Sequence, residues 1–375
     1  MHKSIYDTIL ENIVDGKLKE GFSLRETGEE KFIIVGGKPN EGFSFHETGG
    51  AGFVFADGAP DGITLYHFGQ TEMDADGRKQ MIRALNAANR DEHEAERLFA
   101  KLAEKYTAVG IVDAFQKYIM NNRSRLRADA LCSTAFYMIT TSANAECVKY
   151  GLEILELMSN LDETDKTMIR TLGLCDEFSA QAVWIFSRLE GGNDEIFNLA
   201  KNLSGWGRIH AVAALKPETP EIRRWLLFEG IDNYVLPQYS ALAVWVKAGV
   251  GEMLKGEISD EEFHAVSRIL YALVDEGPAE GISDLGDPGG TVREYLEIAE
   301  TKELDVVDYQ TIYGLRDWAT DENDDYSDIV LTCSDILTTE ICEETIRKAA
   351  KEGRSYGEAL ANALGIDYTE DGTDE

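Results

Sequence analysis

The sequence has few of the devices that small extracellular or metal-stapled folds depend on. Its five cysteines, at positions 132, 147, 175, 333 and 342, are odd in number and form no C-x-x-C pair. A disulfide framework or a structural zinc centre would need thiols that cluster, so buried free thiols are expected. No run of about 18 apolar residues occurs, which removes the transmembrane helix. The opening MHKSIYDTILENIVDGKL alternates charged and apolar residues where a signal peptide needs a continuous apolar stretch. The expectation is a cytoplasmic protein without a membrane partner.

Basic residues are also scarce. There are 36 Lys and Arg against 69 Asp and Glu, a net charge of −33, and residues 256–375 alone hold 32 acidic and 8 basic residues, net −24. Such a field repels phosphate backbones, so no direct nucleic-acid contact is expected, and a basic protein or peptide would be drawn in. An acidic mimic of nucleic acid is an alternative with the same composition. G-x-x-x-x-G-K-[ST] and G-x-S-x-G are absent, and GGAGFVFADG lacks the third glycine and following helix of a dinucleotide fingerprint.

What is present is mostly helical patterning. Residues 4–15 place Ile5, Ile9, Leu10, Ile13 and Val14 on one face, which predicts a short helix capped by Gly16. Residues 20–40 and 41–61 then repeat with a 21-residue period, matching at Gly21/Gly42, Phe22/Phe43, Thr27/Thr48, Gly28/Gly49 and Pro39/Pro60 among others. Each copy reads as a β-hairpin, and GITLYHFG, with His67, reads as a further degraded strand. From residue 72 onward helices follow one another, with short breaks rich in Asn, Asp, Gly or Ser. Alanines sit in mid-helix at 128, 130, 180, 182, 211, 213, 241 and 243, and Trp184, Trp206, Trp225 and Trp245 recur 19 to 22 residues apart.

This periodicity resembles an irregular HEAT or armadillo-type helical repeat array. The expected fold is mainly α, with the β-hairpin module ahead of the array. Expected segments are 1–71 (helix and hairpins), 72–255 (helical repeat), 256–365 (acidic helical continuation) and 366–375 (disordered acidic tail). Within the last third, GPAEGISDLGDPGG reads as a loop and DWATDENDDYSD as an acidic connector.

Candidate chemistry is sparse. Glu261 and His264 form an E-x-x-H pair on one helical face, half of a di-iron carboxylate motif, and are the candidate metal ligands. DENDDYSDIVLT, from Asp321, has the carboxylate density of a calcium loop. It places Tyr326 where Gly is needed and Thr332 where Glu is needed, so an EF-hand is excluded. In GWGRIHAVAALKPETPEIRRWLLFEG, Ser204 is positioned to cap one helix and Thr219-Pro220 to open the next. Trp206, His210, Arg223, Arg224 and Trp225 there form a candidate groove for a peptide or small ligand; ordinary core tryptophans would give the same pattern.

That segment, together with IYDTILENIVDGKLKEGFSL and FADGAPDGITLYHFG, resembles bacterial proteins that carry the label limonene hydroxylase. The resemblance implies a monoterpene monooxygenase and assigns no catalytic residue. Oxygen activation needs haem, flavin or iron, and no motif for them stands in the chain, so no cofactor is expected. A non-enzymatic helical scaffold that binds a protein or peptide is the leading expectation.

Overall fold

The computed structural model describes residues 3–24, 55–277, 279–321 and 326–368. The duplicated hairpins fall, apart from their outer ends, outside the described residues, as do the centre of the DENDDYSD stretch and residues 369–375 of the expected tail. The protein is mainly α: the described residues form 20 α-helices and one two-stranded antiparallel hairpin. It divides into two compact units, residues 1–215 and 216–375.

Two sequence expectations near the N-terminus need correction. The first helix, α1 (Ile5–Leu10), is opened by Ser4, whose side chain accepts from Asp7 N, and it stops before Ile13. Ile13–Val14 (β1) and Lys17–Leu18 (β2) pair instead, in the register Ile13 to Leu18 and Val14 to Lys17. Asp15 and Gly16 both have positive φ, 51° and 79°. That is the geometry of the two-residue Asp-Gly hairpin turn, so Gly16 turns a hairpin rather than capping a helix. The second correction is GITLYHFG. Pro60 opens α2 (Ala59–Ile63), which runs directly into a π-helical turn, Thr64–Phe68, ended by Gly69 at φ +68°. A proline at the first turn supplies a helical φ at no hydrogen-bond cost, and this overrides the local strand pattern.

Unit 1 continues with α3 (Ala75–Ala88), α4 (Glu92–Ala103), α5 (Ala108–Asn121), α6 (Ala128–Thr141) and α7 (Ala145–Leu155). It closes with α8 (Glu163–Gly173), α9 (Asp176–Ser187), α10 (Gly192–Asn202) and α11 (Trp206–Ala214). The starts are set locally: Asp74, Asp91, Thr107, Asn144 and Asp162 each accept a first-turn backbone N–H. Most helices pack on the next or the next but one. Two are central: α7 touches α4, α5, α6 and α9, while α9 touches α2, α7, α8, α10 and α11. Phe99, Phe115 and Tyr150 meet around α7 with centroids 5.2 to 6.0 Å apart, and the Tyr150 hydroxyl donates to Tyr106 O at 2.8 Å. Small residues permit the tightest approach, since a Cβ on Gly173 of α8 would lie 2.7 Å from Ala182 of α9.

Unit 2 contains α12 (Pro220–Glu229), α13 (Gln238–Ala248), α14 (Val250–Met253), α15 (Asp260–Val274) and α16 (Pro288–Ala299). After these come α17 (Val306–Asp321), α18 (Ser327–Leu337), α19 (Glu340–Lys351) and α20 (Gly357–Leu364). Thr219 caps α12, accepting from Ile222 N at 3.2 Å, and Pro220 takes the first position. The acidic connector is a further correction: Asp317–Asp321 belong to the end of α17 and Ser327–Asp328 to the start of α18. The apolar set Ile312, Leu315 and Ala319 on α17 is buried, and that burial carries the helix into a stretch whose composition alone reads as a loop. At the centre of this unit Phe263 and Tyr295 stack at 5.0 Å, with the Tyr295 hydroxyl 2.8 Å from Ser267 Oγ. No helix among the described residues is long and apolar enough to cross a membrane.

Candidate functional site

Glu146, Lys149 and Glu153 of helix α7 and its C-cap residue Glu156 are spaced so that they share one face. On a surface helix that face would be solvated. Here α7 is enclosed by its neighbours, so Lys149 and Glu153 have no exposed surface and Glu156 is buried as well. The Lys149 ammonium lies 2.8 Å from Glu177 Oε1, 2.9 Å from Asp61 Oδ2 and 3.1 Å from Glu146 Oε1. Its three protons thus meet three carboxylates. The second oxygens of the two glutamates are used too: Glu177 Oε2 accepts from Gly58 N at 2.9 Å, and Glu146 Oε2 from Ala108 N at 2.6 Å. The cluster therefore fastens the chain before α2 and the open N-terminus of α5 to the central helix.

Burial works against the lysine charge, and the surrounding carboxylates overcome it and hold the Lys149 pKa well above its ordinary value. Burial also pushes Asp61 up to about 6, against the pull of Lys149. Glu153 is raised well above the carboxylate range, by burial and then by the charges of Glu146, Asp61 and Glu156. Neither of its side-chain oxygens has a hydrogen-bond partner among the described residues. Its environment therefore favours the neutral acid over the carboxylate. Lys149, protonated and saturated, is no nucleophile; its chemistry is that of a clamp.

A second group lies beside this clamp. Asp57 Oδ2 accepts from Leu24 N at 2.7 Å, which joins the two ends of the segment 25–56. Gly58 follows at φ +76°, and a Cβ there would meet the Asp176 carbonyl oxygen at 2.5 Å. Asp176 Oδ1 in turn accepts from Gly207 N at 2.5 Å, so α11 is capped by a carboxylate of α9 rather than by Ser204; its N-cap residue is Gly205. Burial lifts Asp176 to about 6. On α11, Trp206 and His210 face Tyr66 of the π turn, with Tyr66 5.8 Å from each ring. Burial lowers His210 to about 4, and its Nε2 has no hydrogen-bond partner among the described residues. Tyr66 is 37% exposed and Phe68 56%, which makes an aromatic ledge with a neutral imidazole beneath it.

Of the groove residues expected from sequence, Trp206 and His210 belong to unit 1, while Arg223, Arg224 and Trp225 belong to unit 2. Arg224 reaches Glu261 at 3.3 Å and lies over the Phe228 ring at 4.4 Å. Trp225 is buried on α12 and Arg223 is exposed. The metal pair is likewise separated by its partners: Glu261 pairs with Arg224, and His264 Nδ1 lies 2.7 Å from Asp308 Oδ2. Asp305 and Asp308 were not singled out from the sequence. Their only local signal is an acidic pair, D-V-V-D, at the start of an apolar-periodic run, which is a capping pattern before it is anything else. All five cysteines are free, four of them buried.

Comparison with protein-family models, with curated proteins and with solved structures found no match to this chain.

Proposed function

We propose that the protein is a non-catalytic scaffold of HEAT or armadillo-like helices that binds a basic protein or peptide. The observation that carries this reading is the ledge of Tyr66, Trp206 and His210 with Phe68 beside it. Tyr66 and Phe68 are the partly exposed rings of this ledge and Trp206 and His210 its buried base, and partly exposed aromatic rings on a rigid helical base are the surface that anchors a partner side chain. Beneath them the buried Trp206 and His210 rings hold the ledge in place. A π-helical turn is itself a frequent mark of a functional position. The chain's net charge of −33 favours a cationic partner, and an exposed tyrosine face adds cation–π attraction for Lys or Arg.

The test is a titration of labelled peptides by fluorescence anisotropy. A Lys/Arg-rich peptide containing one aromatic residue is expected to bind, and to weaken as salt is raised. An acidic peptide of equal length should not bind. Tyr66→Ala is expected to weaken binding by about fivefold or more, the loss typical of an anchoring aromatic. Equal binding of the two peptides, or wild-type affinity in the Tyr66→Ala protein, would refute the assignment.

A further inference from the structure

The pairing of His264 with α17 leaves a donor set that the helix's own hydrogen bonds do not exhaust. Asp305 Oδ1 accepts from Val307 N at 2.7 Å and Asp308 N at 3.1 Å, and Asp308 Oδ2 accepts from Asp305 N at 2.8 Å. This reciprocal cap occupies one oxygen of each carboxylate. Asp308 has no exposed surface, and its Oδ1 has no hydrogen-bond partner among the described residues. Ser267 lies close enough to favour the charged form of Asp308. Its hydroxyl, however, is engaged with Phe263 O at 3.1 Å and the Tyr295 hydroxyl at 2.8 Å. A buried carboxylate with an unfilled oxygen, beside a second carboxylate, is costly unless a cation completes it. Lys302, three residues before Asp305, does not serve: its ammonium is held by Ile258 O at 2.6 Å and Asp260 Oδ1 at 2.9 Å.

We propose that His264, Asp305 and Asp308 form a binding site for one divalent first-row cation. One ring nitrogen of His264 and one oxygen from each aspartate lie within 4.8 Å of one another. The 2.7 Å between His264 Nδ1 and Asp308 Oδ2 is also the separation of two ligands subtending about 80° at a metal about 2.1 Å from each. The cation replaces the proton between them and, held by both oxygens of the Asp308 carboxylate, also fills Oδ1. One imidazole and two carboxylates suit zinc or manganese better than magnesium, which prefers all-oxygen surroundings and keeps its waters. Backbone N–H groups from Asp305, Val307 and Asp308 already orient both carboxylates, as outer-sphere donors do in metal sites. Three protein ligands leave room for water or a small anion. His264 is one-third exposed at its side chain, which gives the ion a way in.

The experiment is equilibrium dialysis of the full chain against Zn2+ in excess Mg2+, which suppresses loose binding to the acidic surface, with bound zinc counted per chain. One zinc per chain is expected. Asp305→Asn separates ligation from helix capping, because Asn caps as well as Asp. It is expected to weaken zinc at least tenfold while far-ultraviolet circular dichroism and the metal-free thermal midpoint stay as in wild type. His264→Gln is expected to abolish the site, and Glu261→Gln to leave it intact. Failure of the wild-type chain to retain zinc overturns the proposal. So does wild-type zinc affinity in both Asp305→Asn and His264→Gln, which would leave His264 and Asp308 as an ordinary ion pair.

Discussion

Lys149 Nζ and Asp61 Oδ2 lie 2.9 Å apart with almost no exposure of either side chain, and this contact joins the central helix of unit 1 to the short helix in which the duplicated segment ends. Replacing a buried ion cluster wholesale can be neutral, whereas removing one member strands the others. Lys149→Met should therefore leave Asp61, Glu146 and Glu177 facing one another. The expected loss is about 3–5 kcal/mol, read as a lower urea midpoint at unchanged m-value. Adding Asp61→Asn should recover part of that loss, since the two sites are coupled.

Glu153 gives the opposite outcome. Its folded pKa lies well above the unfolded one, so the stability it contributes as a neutral acid is lost as pH rises above the ordinary carboxylate range. Gln has the same shape and nothing to ionise. Glu153→Gln is expected to stabilise the protein by about 1–3 kcal/mol at pH 7 and to make little difference near pH 4, measured by urea unfolding at both.

Asp176 and His210 shift in opposite directions on adjoining helices. Asp176 rises from 3.8 to about 6, so its contribution declines as pH rises through that interval. His210 falls from 6.5 to about 4, so its contribution grows as pH rises through nearly the same window. Each amounts to at most about 3 kcal/mol, and their slopes largely cancel. Asp61 titrates over the same interval as Asp176, so the effects are read against wild type: as pH falls from 6.5 to 4, Asp176→Asn should lose stability relative to wild type and His210→Asn should gain it. Thermal or urea unfolding across that range checks both, and identical profiles for the two variants would contradict the opposed shifts.

Gly62 lies against the Trp206 indole so closely that a Cβ would overlap the ring. Gly62→Ala must push either α2 or the indole aside, at a cost of about 1–3 kcal/mol. The near-ultraviolet circular dichroism of the protein should change with little effect on helix content. Because Trp206 supports Tyr66, the same variant should also weaken the basic-peptide binding proposed for the ledge.

The helices were the legible part. Thr219-Pro220 opens α12 where the residues say it should, because a cap and a first-turn proline act within four positions. The same local reasoning failed where a nearby competitor intervened. Asp15-Gly16 turned a hairpin out of an apolar run that reads as helix, and Pro60 opened a helix that runs into GITLYHFG. The E-x-x-H spacing put Glu261 and His264 within one turn, but their nearest charged partners lie on other helices and pull them to different tasks.

Helical content, the Thr219-Pro220 helix start, the scattered free thiols and the acidity of the last third follow from residue order alone, since these depend on composition and on contacts within a turn. Tertiary structure alone decided that the polar face of α7 is buried, that Lys149 is shared among Asp61, Glu146 and Glu177, and that His264 meets Asp305 and Asp308. Periodicity tells which residues share a face. It carries no information on what that face will meet when segments far apart in the chain pack together, and the charge state of every group at these sites follows from that packing.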